Sequence, residues 1–174
     1  MTATTMDYLE TYLQDHRAGA AMGSDLARRL AEENLGTPYE DVLLGIANEI
    51  EQDVDTLDEI MERLGVGKSG VKIAGAKIAE KVGRLKPNDQ LTGYSPLSRV
   101  LELEGLRGGV HAKLGLWDSL GELATHDDRL DPEEMAALQA RAEEQLDTLR
   151  GTHCQAARDA FVEGEGEDED EDEA

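Results

Sequence analysis

Apolar residues recur at steps of three and four in four stretches of this chain. This spacing places them on one face of a helix, so the pattern predicts four long amphipathic helices. Local start and stop signals set their expected bounds at about 5–34, 37–65, 95–124 and 131–161. Short loops join the first two helices and the last two, so each pair should form an antiparallel hairpin.

Composition favours a helical core over a sheet. Apolar residues make up 39% of the chain but aromatic residues only 3%, and strands are rich in aromatic and β-branched residues. The predicted fold is all-α: an antiparallel four-helix bundle of two hairpins, with an additional short basic helix in the crossover. A chain of 174 residues fits one domain. We expect this bundle domain in residues 1–162 and a disordered acidic tail in residues 163–174, which carry little apolar surface to bury.

The charge balance excludes several classes of partner. The net charge is −22, and 30 acidic residues face 17 basic ones even without the nine acids of the tail. Duplex binding needs clustered Lys and Arg, so we expect no nucleic-acid partner.

The chain lacks the apolar run of a transmembrane helix and the basic start of a signal peptide. Its single cysteine excludes an intrachain disulfide. A cytoplasmic protein is expected.

A basic segment, residues 63–86, interrupts this acidic chain with seven Lys or Arg residues and one acid. Its apolar residues also have helical spacing and predict a short amphipathic helix. Such a helix can dock on an acidic bundle, within the chain or its oligomer, or it can lie on an anionic membrane or an acidic partner. We favour docking on the bundle. The interaction residues are expected to be Lys72, Lys77, Lys81, Arg84 and Lys86.

Two hairpins joined by a longer crossover resemble the ferritin-like, rubrerythrin-type bundles. The resemblance covers most of residues 5–161 and rests on architecture. Ferritin-like di-iron proteins use a Glu-x-x-His motif on two helices, and this chain contains none; Glu122 and His126 are one residue too far apart. No metal ligand is therefore carried over from the family.

Two histidines interrupt the apolar stripes of the first and last helices and are the first candidates for chemistry. His16 should lie level with Leu57, one turn from Asp53, and His153 should lie level with Glu104. Convergence of these groups could hold iron or another divalent metal. Two separate hydrogen-bonded His–carboxylate pairs explain them equally well, and we favour that reading with no cofactor. The alternative metal set is His16, Asp53, Glu102, Glu104 and His153, with Asp15 and Glu49 as further carboxylates.

Cys154 has Arg150 and Arg158 one turn away on either side, an arrangement that favours a reactive thiolate. The simpler expectation is a small residue packed between helices. The sequence therefore predicts a non-enzymatic acidic bundle that binds a protein partner or forms a homo-oligomer. The alternative is a ferritin-like di-metal protein, an oxidoreductase or a stress protein.

Overall fold

The computed structural model describes residues 4–67 and 94–163. These residues form four long helices and a closing π-helical turn, without strands, so the all-α prediction is confirmed. None of the described helices is long and apolar enough to cross a membrane. The helices are α1 (Thr5–Glu32), α2 (Glu40–Leu64), α3 (Pro96–Ala124) and α4 (Pro132–Arg158), and the π turn is Asp159–Glu163.

Local capping explains why α3 and α4 begin where the sequence predicts. The Ser95 hydroxyl accepts from the Ser98 backbone N–H at 3.1 Å. The Asp131 carboxylate accepts from the Glu133 N–H at 2.9 Å. A proline follows each cap at the first helical position, where it has no N–H to leave unpaired.

The connection between α1 and α2 differs from the prediction. Thr37 and Glu40 have the spacing of a capping box, which predicts a helix start at Thr37, but this prediction is wrong because α2 begins at Glu40 with no side-chain cap. The Glu40 carboxylate instead accepts from the Gly36 N–H at 2.6 Å, and the Thr37 hydroxyl donates to the Asn34 carbonyl at 2.7 Å. The chain reverses at Gly36 in the left-handed region, with φ of 74°, which glycine adopts without steric cost.

The four helices form an antiparallel bundle of two hairpins, as predicted. Within it α1 lies against both α2 and α3, and α3 lies against α4. Gln14 bonds to the carbonyl of Gly67, whereas Asn34 bonds to the hydroxyl of Tyr94. Since residue 14 lies in the first half of α1 and residue 34 just beyond its last residue, the connection 68–93 joins opposite ends of the bundle.

The two seams between the hairpins are built differently. Along the α1–α3 seam a Cβ at Gly105 would lie 3.6 Å from Leu26 Cδ2, so the missing side chain permits close approach. The backbones of α2 and α4 approach less closely. Long polar side chains bridge that gap, including a bidentate ion pair from Arg63 to Glu134 at 2.7 and 2.8 Å. The α1–α3 seam is therefore the closer of the two, and charged side chains bridge the wider α2–α4 seam.

Several predictions concern residues that lie outside the described ranges. These are the basic helix, with its interaction residues Lys72, Lys77, Lys81, Arg84 and Lys86, and the tail beyond residue 163. Arg63 is described: it lies in the last turn of α2 and pairs within the bundle.

Candidate functional site

A charged cluster lies inside the bundle around Asp53 of α2, and Asp53 is only 3% exposed. Its carboxylate accepts from the Lys113 ammonium of α3 and from the Arg141 guanidinium of α4. The Gln145 amide donates to Glu49 at 3.0 Å and to Asp53 at 3.3 Å, and its oxygen accepts from Lys113. Three helices thus meet at one carboxylate, with two positive and two negative side chains in balance.

Burial decides the electrostatics of this cluster. The Lys113 side chain is 14% exposed, and its loss of hydration lowers its pKa below the usual 10.5, while Asp53 acts in the opposite direction. The Arg141 side chain keeps 31% exposure and can contact water directly. Lys113 therefore depends most on Asp53, because an unpaired buried charge is costly.

Lys113 and Gln145 face the core, although neither was predicted to. The apolar repeat predicts that Leu114 and Leu146 lie in the helix stripes instead, but both are only partly buried at the core margin. Lys113 nevertheless lies on the same face of α3 as three buried neighbours, and Gln145 lies on the buried face of α4. This shared helix face was the signal present in the sequence. It could reveal that Lys113 and Gln145 are buried only if a buried partner on another helix was already known. The α3 neighbours are Val110, Trp117 and Leu120.

Beside the cluster lies a cavity of about 130 Å³ between α1, α2 and α3. We call it the inter-helix cavity. Its wall is mostly apolar and includes glycines of α1 and α3. Its polar lining groups include His16, Asp53 and Lys113, with the indole of Trp117 alongside. The predicted proximity of His16 to Asp53 and Leu57 holds, since all three residues line this one space.

The two candidate histidines have different surroundings. His153 Nε2 lies 3.2 Å from the Glu104 carboxylate, the expected pair. His16 is half-buried and packs edge-on against Tyr12, with ring centroids 4.4 Å apart. No side chain in residues 4–67 or 94–163 forms a hydrogen bond to the His16 ring, contrary to expectation. Burial lowers the pKa of His16, with Asp15 acting in the opposite direction.

The structure does not bring the five candidate metal ligands together. Glu102 accepts from Arg29 at 2.6 Å, Asp53 is held by Lys113 and Arg141, and the other residues are placed as described above. Across the described ranges, no three His, Cys, Asp or Glu side chains are grouped so as to hold a metal ion. Cys154 is exposed, so the expected packed position is wrong for it.

A second polar cluster lies at the end of the bundle that contains the α1–α2 loop. The Tyr39 hydroxyl donates to Asp159, and burial together with that carboxylate raises the pKa of Tyr39 to about 12. The Arg99 guanidinium lies 4.4 Å from the Tyr39 ring centroid and donates to Asn34. Asn34 in turn donates to the Tyr94 hydroxyl at 2.8 Å. These contacts tie the start of α3 and the π turn to the same end of the bundle.

Around this cluster, large apolar side chains remain exposed. We call the five of them the end patch, and their exposed fractions range from 40% to 67%. They flank the buried cluster in sequence, so all belong to the same end of the molecule. Exposed acids at this end include Glu32, Glu33 and Asp41. The end patch consists of Leu35, Leu97, Leu101, Phe161 and Val162.

No protein-family model, curated protein or solved structure matches this chain. The assignment of a function therefore depends on three features of the chain itself. These are the charged cluster at Asp53, the inter-helix cavity and the end patch.

Proposed function

We propose that this protein is a non-enzymatic protein-interaction module that self-associates through its end patch. The observation that carries the proposal is the presence of five exposed apolar side chains at one end of the bundle. A grouped apolar surface with a polar rim is typical of protein-interaction sites, whereas single exposed apolar residues are common on any surface.

The acidic residues around the end patch determine which kind of partner surface it attracts. The exposed acids near the end patch favour a partner surface that is apolar and basic. In a second copy, the part of the basic segment beyond α2 has this character, with six bases beside apolar residues at helical spacing. A second copy is therefore the occupant that we propose. A cytoplasmic location, where such a module would stay reduced and soluble, is part of the proposal.

The size of the patch limits the strength of the association. Full burial of a large apolar side chain contributes about 2 kcal/mol, so five side chains that are already half covered contribute about 5 kcal/mol. Loss of translational and rotational freedom costs at least about 4 kcal/mol. The patch alone thus supports weak, reversible association, and the electrostatic contact must supply most of the remainder.

Light scattering after size-exclusion chromatography tests the proposal over a range of concentrations. Wild-type protein should show a concentration-dependent rise in mass that added salt reduces, because salt screens the charged contact. Phe161→Glu should abolish this rise. Tyr8→Glu is the matched control, since Tyr8 is 65% exposed at the opposite end of α1. Lys77→Glu should weaken association without changing the fold of the bundle.

Two outcomes would contradict self-association through the end patch. One is a monomer at every concentration, which would require a different, heterologous partner. The other is equal loss of association in Phe161→Glu and Tyr8→Glu, which would place the interface elsewhere.

The ferritin-like relationship is also a proposal. It is supported by the antiparallel hairpins and by the connection between opposite ends of the bundle. Metal analysis of protein purified without chelator tests the di-metal alternative. Stoichiometric iron, manganese or zinc that disappears in a His16→Ala/His153→Ala variant would replace the interaction module with that alternative.

A further inference from the structure

The inter-helix cavity is large enough for a small organic molecule. Its volume of about 130 Å³ is close to the ~150 Å³ of an engineered helical cavity that binds benzene. A ligand of six or seven non-hydrogen atoms would therefore fill it. Gly109 and Ala112 on its wall are exposed, so the cavity is open to the surface beside α3.

The cavity exists because side chains are missing from two helices. Gly19 and Gly23 of α1 and Gly109 of α3 line it, and a Cβ at any of the three would meet nothing within 4 Å. None of the three has a positive φ. Each glycine inside a helix costs up to about 1 kcal/mol relative to alanine. Neither backbone conformation nor close packing explains these glycines, and the space that they leave does.

The wall carries hydrogen-bonding groups that are not paired. Trp117 is 1% exposed and lines the cavity, yet its indole N–H has no acceptor among the described residues. That N–H is also closed to solvent, so a molecule in the open cavity does not contact it. The half-buried His16 ring lines the same space, and its lowered pKa favours the neutral ring, which offers one acceptor and one donor nitrogen.

The charges of the wall determine the class of ligand. Lys113 and Asp53 also line the cavity, but they neutralise one another within the cluster. No uncompensated charge in the described wall is left to pair with an ionised ligand, whose burial would be costly. We propose that the inter-helix cavity binds a neutral, mostly apolar molecule of about benzene size that carries one hydroxyl or carbonyl oxygen. The oxygen would accept from a His16 ring N–H, or a hydroxyl would donate to the unprotonated His16 ring nitrogen.

The chain contains its own reporter for this site, because Trp117 is its only tryptophan. Cyclohexanol is a suitable probe, since it has seven non-hydrogen atoms and does not absorb with tryptophan. It should change the fluorescence of Trp117 in a saturable manner, and cyclohexanecarboxylate at pH 7 should not. Gly23→Leu should fill the cavity and weaken cyclohexanol binding at least about tenfold.

Three variants keep the test decisive. Gly151→Leu is the matched control and should bind normally, because Gly151 is an exposed glycine of α4 outside the cavity. Gly23→Ala should fold without strain and weaken binding less than Gly23→Leu. His16→Phe removes the ring nitrogens, so calorimetry should show cyclohexanol losing about threefold to tenfold of its preference over methylcyclohexane.

The proposal is overturned if cyclohexanol gives no saturable change, or if Gly23→Leu binds it as tightly as Gly151→Leu does. Equal binding of cyclohexanecarboxylate would show that the ligand class is wrong. An unchanged preference in His16→Phe would show that the imidazole does not hydrogen-bond to the ligand. None of these results depends on whether the protein self-associates.

Discussion

Replacement of Asp53 by asparagine should destabilise the protein more than any other single change in the charged cluster. The amide keeps the shape of the side chain but removes the charge that Lys113 and Arg141 share. Breaking a buried ion pair by removal of one partner costs about 3–5 kcal/mol. Because Arg141 is 31% exposed and can turn towards water, we expect the lower value, about 3 kcal/mol. At 2–4 °C per kcal/mol, this corresponds to about 6–12 °C in melting temperature.

Urea unfolding of four proteins measures this effect: the wild type, Asp53→Asn, Lys113→Met and the double variant. Lys113→Met leaves Asp53 paired with Arg141, so it should cost less than Asp53→Asn. The double variant removes the unpaired ammonium and should lose clearly less than the sum of the two single changes. A loss below about 1 kcal/mol for Asp53→Asn, or additivity of the two changes, would refute the dependence of Lys113 on Asp53.

The same cluster predicts a pH dependence with a defined sign. Burial lowers the pKa of Lys113 in the native state below the 10.5 of the unfolded chain. Between these two values the unfolded state binds more protons, so stability rises with pH. The rise should be larger in Asp53→Asn, which lacks the carboxylate that keeps Lys113 protonated, and absent in Lys113→Met. A fall in stability across this window in Asp53→Asn, relative to Lys113→Met, would contradict the assignment.

Three further results are expected. Because the pKa of Tyr39 is raised from 10.0 to about 12, the native state keeps a proton that the unfolded chain loses, so stability relative to Tyr39→Phe should fall between those pH values in urea titrations; a rise would contradict it. Ile78→Asp should lower the melting temperature far more than Lys77→Glu if the basic segment docks through its apolar residues, and an undamaged Ile78→Asp protein would argue for a free helix. Removal of residues 163–174 should leave the melting temperature nearly unchanged, whereas a large drop would show that the tail is docked.

Local signals predicted the helix ends better than they predicted the helix faces. Ser95 and Asp131 begin their helices, and Gly65 ends α2, as expected, because each position depends only on neighbouring backbone groups. Thr37 and Glu40 have the residue types and spacing of a capping box, but the backbone turn at Thr37 does not form one. The Glu40 carboxylate bonds to Gly36 instead, a choice that only the loop geometry decides.

The candidate site depended on long-range contacts that one sequence does not encode in readable form. His153 could be matched with Glu104 by counting along a hairpin. Lys113 could not be recognised as buried, since a lysine in a stripe is expected to face water unless a partner such as Asp53 is known. The spacing of Gly19 and Gly23 was visible, but whether a neighbouring side chain fills the space between helices is a property of packing alone.

The connection 68–93 joins opposite ends of the bundle, and this has a consequence for folding order. Residues 33–39 and 125–131 close the two hairpins locally, whereas residues 68–93 must be closed before the hairpins can meet. The longer connection has nearly four times as many residues as either hairpin connection, so its closure costs about 1 kcal/mol more. We therefore expect the hairpins to form first as separate cooperative units. Pulse-labelling hydrogen exchange should show protection within each hairpin before the α1–α3 seam is protected.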